Sequence, residues 1–181
     1  MSVLIIKNGF IAYTNFHYFY EVILEITLRK ARLEDSEMVL SWRNEPGTIP
    51  WMGTTRALSF EEHHDWFVKT LLDENSLFFI IEFDSDPIGQ IRYHQSTTWI
   101  KNAAKVSINI TQKMHGKGIA SIAFKKGSEL VRALGFAHNI FAYVRLDNIG
   151  SIKAMENAGY KRGSITEVHD IEHLMMEDCI G

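Results

Sequence analysis

The spacing of hydrophobic residues changes along the chain, and these changes mark the predicted elements. Residues 26–31 alternate apolar and polar side chains as a strand does, and residues 76–83 form an apolar run with the length of a buried strand. A turn at 84–87 joins that run to residues 88–95, which predicts a hairpin, and residues 104–110 alternate again. The first two thirds of the sequence therefore predict an antiparallel meander.

Helical spacing interrupts this meander. Asp35 is expected to cap a short helix that ends before Pro46. A long loop follows, and Ser59 with Glu62 forms the capping box of a second helix. The predicted core stripe of that helix consists of Phe60, His64, Phe67 and Leu71, with His63 and Trp66 beside it.

The pattern after residue 110 predicts a strand–helix–strand–helix unit. One helix follows the fourth strand and stops at Gly135, and a second is capped by Asn148 and ends at Gly159. A strand lies between them, and residues 160–178 are expected to form a final hairpin. The predicted fold class is α/β (α+β mixed), with a central mixed sheet of about six to seven strands and helices on both faces.

Residues 1–24 do not fit this scheme. They are apolar and aromatic without a clean helical or alternating period. We therefore divide the chain into an N-terminal extension of unknown role, residues 1–24, and one domain, residues 25–181. The extension has three alternative explanations: an added strand, a contact in a homodimer, or a misplaced start codon.

Composition and charge narrow the class of protein. The chain has 181 residues, 46% hydrophobic and 23% charged, as one globular domain has. The net charge of −3 disfavours a nucleic-acid partner, and no run of about 18 apolar residues predicts a membrane span. The single cysteine, Cys179, predicts no internal disulfide and favours a cytoplasmic location.

A glycine-rich turn separates the fourth predicted strand from its helix. His115-Gly116-Lys117-Gly118-Ile119-Ala120 places free backbone N–H groups, the positive end of a helix dipole and a lysine together, which suits a pyrophosphate. A plain tight turn is the alternative. The Walker A pattern is absent, and the dinucleotide fingerprint fails because Ser121 stands in place of its third glycine.

The segment AKVSINITQKMHGKGIASIAF resembles the acetyl-CoA-binding motif of the GNAT N-acetyltransferases, Arg/Gln-x-x-Gly-x-Gly/Ala. Gly118 and Ala120 match that motif, whereas His115 stands where arginine or glutamine is usual. The later segment VRLDNIGSIKAMENAGYKRGS resembles the second motif of the same superfamily. The order of predicted elements agrees with the GNAT fold.

The resemblance implies acetyl-CoA as cosubstrate, no metal, and direct attack by a primary amine within a ternary complex. It also implies that the fourth strand splays from the fifth, so that its backbone pairs with the pantetheine arm. The cofactor-binding residues expected on this basis are Val106, Ile108, Ile110, His115, Gly116, Lys117, Gly118, Ile119, Ala120 and Asn148.

The pattern lacks the usual acid of the reaction, because Met155 occupies the position where many GNAT enzymes have a tyrosine. Ser151, paired with Asn148, resembles the proton donor of branches that lack the tyrosine. Alternatively, Asn148 and Ser151 only cap the helix, and the thiolate leaves without accepting a proton.

Histidines are the candidates for the base, because their pKa lies near the operating pH. His63 is expected to face the substrate, and His94 lies near the predicted splay point. His64 is expected in the core, Glu62 is a further candidate, and an ordered water relay is an equal alternative.

The segments LSWRNEP and EEHHDWF resemble the GNAT branch that acetylates nucleotide-linked amino-sugars in pseudaminic-type biosynthesis, and the ribosomal-protein acetyltransferases share the same broad pattern. The acceptor is therefore expected to be a small-molecule amine, with Arg43 and Arg56 meeting a diphosphate. The substrate-binding residues expected are Trp42, Arg43, Asn44, Trp51 and Trp66. Trp42 and Trp66 have core packing as their alternative.

Other classes of function have weaker signals. Residues 169–173 read HDIEH, which matches the inverted zinc-peptidase string, but that motif needs a helix and a third ligand downstream. A non-catalytic acyl-CoA-binding protein would use the same fold, and Met155 favours it mildly. Cys179 as an acyl-carrying nucleophile is disfavoured by its place near the chain end.

Overall fold

The computed structural model describes residues 3–7, 10–15, 18–96, 102–168 and 170–179. Its strands are β1 (Val3–Lys7), β2 (Phe10–Asn15), β3 (Tyr18–Lys30), β4 (Ser76–Phe83), β5 (Asp86–Ser96), β6 (Ala103–Ile110), β7 (Asn139–Arg145), β8 (Lys161–Val168) and β9 (Ile171–Asp178). Its α-helices are α1 (Ser36–Arg43), α2 (Phe60–Leu72), α3 (Ile119–Ala133) and α4 (Ile149–Asn157). Short 3-10 turns lie at Leu33–Asp35, Ile49–Trp51 and Gln112–Met114.

The strands form one sheet in the order β1-β2-β3-β4-β5-β6-β7-β9-β8. Among the described strands, only β6 and β7 pair in parallel, because a helical crossover, α3, connects them. The mixed α/β class with helices on both faces is confirmed.

β3 is longer than the sequence pattern predicts. Its second half pairs with β4, from Ile26 opposite Phe83, and its first half pairs with β2, which in turn pairs with β1. Residues 3–7, 10–15 and 18–24 thus extend the sheet. The predicted division at residue 24 falls inside this continuous strand.

Alternating side chains of β4 divide the interior into two layers. Phe79 and Ile81 pack toward α3 and α4 in the larger core, whereas Phe78 and Ile80 pack toward α1 and α2. A run of four buried residues on one strand is what a sheet covered on both faces requires.

Two expectations about the first helices are wrong. The buried face of α2 consists of His63, Phe67 and Thr70, whereas Phe60 is exposed. Phe67 and Leu71 of the predicted stripe do pack in the core, Phe67 edge-on against Phe78 of β4, but His63 takes the buried position in the first turns of the helix that was expected for Phe60 and His64. The capping box of Ser59 and Glu62 is confirmed.

Asp35 is the second correction. It precedes α1 as predicted, but its carboxylate does not cap that helix. It accepts two hydrogen bonds from the Arg29 guanidinium, both 2.8 Å, and one from the backbone N–H of Arg32. Burial raises the pKa of Asp35, but these hydrogen bonds outweigh it and the pKa lies below its ordinary value. Asp35 therefore fastens β3 to α1.

Candidate active site

The sheet opens between β6 and β7. Their pairing is limited to three positions, from Ala103 opposite Asn139 to Lys105 opposite Phe141. Beyond Lys105, β6 continues along β5 and β7 continues along β9, so that the two strands diverge. The expected splay of the fourth strand from the fifth is thus present, and it leaves one hydrogen-bonding side of residues 106–110 without a neighbouring strand.

A cleft of about 580 Å³ lies at this opening. Four parts of the chain line it: the end of β6, the glycine turn with the start of α3, the first turns of α4, and the loop between α1 and α2. The lining includes Gly47, Thr48, Trp51, Met52, Ile108, Asn109, Ile110, Met114, His115, Gly116, Gly118, Ile119, Ala120, Ser121, Phe124, Asn148, Gly150, Ser151, Lys153, Ala154 and Asn157.

The glycine turn has the conformation of an anion cradle. Gly116 and Gly118 have φ values of 73° and 74°, in the left-handed region that side chains disfavour. Space around the α-carbon of Gly116 is open, because a β-carbon there would meet nothing within 4 Å. The first amides of α3 have no carbonyl partner within the helix and lie at its positive end. The turn can therefore hold a pyrophosphate through its backbone.

His115 and Lys117 differ in what they contribute to this turn. The Nε2 atom of His115 is 2.8 Å from the carbonyl oxygen of Ile110, so the imidazole ties the turn to the end of β6. Lys117 is exposed, contacts the Met114 sulfur at 3.5 Å and does not line the cleft. The cradle is therefore made mainly of backbone.

The first turn of α4 forms the opposite wall. The Asn148 side chain accepts a hydrogen bond of 3.1 Å from the backbone N–H of Ser151, so the structural role of this pair as a helix cap is present. Ser151 also lines the cleft. Met155 is fully buried in the main core and does not face the cleft. Ser151 is thus the hydroxyl on α4 that is placed to meet a ligand.

The loop between α1 and α2 is fastened to the end of β6. The hydroxyl of Thr48 donates to Asn109 Oδ1 at 3.3 Å. The Glu45 carboxylate accepts from the hydroxyl of Thr111 and, at 2.8 Å, from the backbone N–H of Gln112. These contacts join residues more than sixty positions apart, and they fix the rim of the cleft.

Trp51 is held at the mouth of the cleft by Arg145 at the end of β7. The guanidinium lies 5.1 Å from the centre of the indole ring, and it donates to the carbonyl oxygen of Pro50 at 3.1 Å. Asp147 pairs with the same guanidinium at 2.6 Å. Trp51 remains 42% exposed, so an indole face is available beside Met52.

Three of the residues expected to bind substrate have structural roles instead. Trp42 is buried between α1 and α2. Arg43 donates to the carbonyl oxygens of Thr54 and Arg56. Asn44 exchanges two 2.9 Å hydrogen bonds with the backbone of Leu58, which closes the base of the loop. The resemblance of LSWRNEP to the amino-sugar branch was the signal for all three, and here these residues support the loop and the core.

The other expected contacts also lie elsewhere. Arg56 forms a two-point ion pair with Glu62 and does not face the cleft. Trp66 and His94 line a second cavity, between α2 and the face of β5 and β6 that α2 covers. His94 Nδ1 is 2.9 Å from the Ser76 hydroxyl and 3.3 Å from the Asp73 carboxylate.

His63 is buried between Trp66 and Phe67, and within the described ranges neither ring nitrogen has a hydrogen-bond partner of normal geometry. Burial lowers its pKa, partly opposed by the Ser36 backbone. Of the histidines in those ranges, only His115 lines the cleft. His63 and His94 are therefore not brought to the site.

Sequence reasoning missed Thr48 and Asn109. They meet in the cleft only because the loop after α1 folds back over β6, and Asn109 lies on the face of β6 opposite the apolar residues that the pattern selected. The alternation of β6 was the available signal, because it places a polar residue between Ile108 and Ile110.

A comparison with protein families decides the assignment. Residues 25–161 match the model described as acetyltransferase (GNAT) domain, which is more than half of the chain. The chain belongs to the GNAT acetyltransferase family. It is an N-acetyltransferase that uses acetyl-CoA. No curated protein sequence matches it.

Solved structures share the GNAT fold. The aminoglycoside acetyltransferase AAC(6')-Ib in complex with coenzyme A is 18% identical, with a TM-score of 0.75 over 86% of this chain and 95% of that one. Spermidine N-acetyltransferase from Vibrio cholerae, in complex with CoA and spermine, is also 18% identical, with a TM-score of 0.73 over 84% and 94%. An uncharacterized protein from Bacillus halodurans is 14% identical, with a TM-score of 0.77 over 98% and 89%.

The backbone conformation does not agree with the zinc-peptidase alternative. Residues 171–178 form strand β9, whereas the zinc motif requires a helix, and His169 lies outside the described residues. No group of three histidine, cysteine or acidic side chains in the described ranges could hold a metal ion.

Across those same ranges, no helix is both long and apolar enough to cross a membrane.

Proposed function

We propose that this GNAT enzyme acetylates the primary amine of a nucleotide-linked amino-sugar. The observation that carries the proposal is the exposed indole of Trp51, held by Arg145 over a cleft that begins where β6 leaves β7. An exposed aromatic ring of this kind suits the apolar face of a sugar or a base. The resemblance of LSWRNEP and EEHHDWF to the amino-sugar branch favours the same class of acceptor by sequence alone, because its matching residues lie outside the cleft.

The charge of the cleft also bears on the acceptor. Among its described lining residues there is no aspartate or glutamate, and Lys153 contributes a positive charge. A polycationic acceptor, such as an aminoglycoside or a polyamine, would find no counter-charge there. A neutral or anionic amine suits this lining better, and protein N-termini of the ribosomal type are the alternative.

Different walls of the cleft would bind different parts of acetyl-CoA. The amides of residues 116–120 would bind the pyrophosphate, and Val106, Ile108 and Ile110 would supply the backbone edge along which a pantetheine arm pairs. The cosubstrate supplies the activated acetyl thioester. A backbone N–H of the same edge can donate to the thioester carbonyl oxygen.

Ser151 is the proposed general acid, and Asn148 positions it by capping the first turn of α4. The thiolate that leaves would accept a proton from its hydroxyl. Because His63 and His94 lie outside the cleft, we assign the removal of the amine proton to an ordered water.

A cytoplasmic location and a homodimer remain predictions from the sequence.

An acceptor panel tests the proposal. Release of free thiol from acetyl-CoA would be measured with nucleotide-linked amino-sugars, the matching free amino-sugars, an aminoglycoside, spermine and a short peptide with a free N-terminus. We expect the highest kcat/KM with a nucleotide-linked amino-sugar. Preference for spermine, the aminoglycoside or the peptide would overturn the acceptor class, and acetyl-CoA binding without turnover of any amine would favour the non-catalytic alternative.

A further inference from the structure

A second cavity, of about 390 Å³, lies on the face of the sheet that α2 covers. Its walls come from the second half of α2, the end of β5 and the start of β6. Its charged and titratable lining side chains are Lys69, Asp73, Arg92, His94 and Lys105. The proposed acetyl-transfer chemistry uses none of them.

Arg92 lies over an aromatic ring. Its guanidinium carbon is 5.1 Å from the centre of the Trp66 indole, a cation–π contact that does not require its N–H donors. Within the described part of the chain, no carboxylate or carbonyl accepts a hydrogen bond from Arg92. A guanidinium whose donors are free can bind a phosphate or a carboxylate at two points.

A second cation faces the same space. Lys105 of β6 lies with its ammonium 5.7 Å from the centre of the Tyr143 ring, and burial together with the charge of Arg92 lowers its pKa. Burial also lowers the pKa of Arg92, so both side chains would be stabilised in their charged forms by a bound anion. Lys69 adds a third positive charge from α2.

The one carboxylate of the cavity is already engaged. Asp73 accepts hydrogen bonds from the backbone N–H of Asn75 and the hydroxyl of Ser76, both 3.0 Å, and it lies 3.3 Å from His94. Three cationic side chains therefore face one carboxylate whose oxygens have partners. The cavity carries an excess of positive charge in a chain whose net charge is −3.

The cavity and the cleft are neighbours along β6. Lys105 and Ser107 line the cavity, and Asn109, the next residue on the same face of the strand, lines the cleft. At a rise of about 3.3 Å per residue, Asn109 lies about 7 Å from Ser107 and about 13 Å from Lys105. The two spaces share no lining residue, but β6 runs from one to the other.

We propose that this cavity binds an acidic group of the acceptor, a phosphate or a carboxylate, through Arg92 and Lys105. The inference rests on the proposed function in one respect, namely that the acceptor amine enters the neighbouring cleft. It gives the enzyme a requirement for an acceptor whose anionic group reaches past the cleft toward Lys105, which lies about 13 Å along β6 from Asn109.

The test first saturates the protein with CoA, so that the glycine turn is occupied. Inorganic pyrophosphate and succinate are then titrated by calorimetry and by the fluorescence of the tryptophans. We expect saturable binding of one anion per chain, with pyrophosphate binding more tightly if the natural group is a phosphate and succinate if it is a carboxylate. Absence of saturable binding of both anions would overturn the proposal.

Variants locate the site. Arg92→Gln and Lys105→Gln are each expected to weaken anion binding at least tenfold while CoA affinity is unchanged, and Arg92→Lys is expected to retain part of the binding. Arg162→Gln is the matched control, because it removes one positive charge from β8, where Arg162 pairs with Glu156. Equal affinity in Arg92→Gln and Arg162→Gln would overturn the assignment.

The acceptor assay separates the two proposals. Arg92→Gln is expected to raise KM for an anionic acceptor at least tenfold with little change in kcat. An anionic amino-sugar that is acetylated with unchanged KM by Arg92→Gln would refute the cavity and leave the proposed function intact. Anion binding that Arg92→Gln abolishes, in a protein that acetylates no amino-sugar, would support the cavity and refute the proposed function.

Discussion

Gly127 of α3 lies directly against the side chain of Tyr93 on β5. A β-carbon at residue 127 would overlap the Tyr93 hydroxyl and lie 3.1 Å from the carbon that carries it. The missing side chain therefore lets α3 approach the centre of the sheet, and this approach sets the position of the helix whose first turn forms the anion cradle.

Gly127→Ala is therefore expected to destabilise the protein, by about 1–3 kcal/mol, as overpacking a core does. In an unobstructed helix the same change would stabilise by about 1 kcal/mol. Urea unfolding of the two proteins measures the difference. The Tyr93→Phe background supplies the control: it removes the overlapping oxygen, so most of the cost of alanine should vanish there. An equal cost in both backgrounds would contradict the contact.

Gly118→Trp is expected to abolish acetyl-CoA binding and leave the fold intact, because the indole would fill the turn in front of the first amides of α3. Calorimetric titration with acetyl-CoA in the presence of EDTA measures the loss, and circular dichroism measures the fold. Gly135→Trp is the matched control, because Gly135 has a similar φ, 66°, at the opposite end of the same helix. Both variants bear a similar backbone strain, of about 1–2 kcal/mol. Equal affinities in the two variants would contradict the assignment of the cradle.

Ser151→Ala is expected to lower kcat at least tenfold with little change in KM for acetyl-CoA, as loss of a proton donor does. The cap survives this change, because Asn148 accepts from the backbone N–H of residue 151 and not from its hydroxyl. Asn148→Ala removes the cap and should cost about 1 kcal/mol of stability. Unchanged turnover in Ser151→Ala would return the serine to a structural role.

Acid sensitivity should depend on His63. Burial holds the pKa of His63 below its ordinary value of 6.5, so the unfolded chain binds its proton more readily than the folded chain does. This contribution to stability is complete above pH 6.5 and is lost as the pH falls toward the lowered folded pKa. His63→Phe, which keeps an aromatic ring between Trp66 and Phe67, should reduce the fall in Tm between pH 7 and pH 5.

The control for that experiment is His64→Gln, because His64 is half-buried and its Nδ1 has a partner, the Ser36 hydroxyl at 3.1 Å. A pH profile that changes in His64→Gln and not in His63→Phe would contradict the proposed origin of the acid sensitivity.

Local signals in the sequence predict most of the fold. The capping box of Ser59 and Glu62, the cap at Asn148 and the stop at Gly159 mark helix ends because their chemistry acts within a few residues. The predicted bounds of β4 match the structure because a run of apolar residues suits a strand buried on both faces. The predicted α2 stripe is right at Phe67 and Leu71 and wrong at Phe60, because the angle at which a helix meets the sheet depends on residues of other elements.

The site was less predictable than the fold. The glycine turn could be located because its geometry requires specific residues at adjacent positions. Thr48 and Asn109, or Arg92 and Trp66, meet only through folding, and no spacing in the sequence joins them. Tryptophan alone does not distinguish a core residue from an exposed one. Trp42, at the end of α1, is buried, whereas Trp51, in the loop that follows, is exposed.

The short pairing of β6 with β7 leaves an unfinished edge inside the sheet rather than at its rim. Strand edges attract other strands, but this one opens into a wedge between two diverging strands of the same chain. A thin extended ligand can complete the ladder there, in the place a strand would take. Bound along this edge as proposed, acetyl-CoA would be a structural component of the sheet as well as a donor, and at a hundred times its Kd it would raise the free energy of unfolding by about 2.7 kcal/mol.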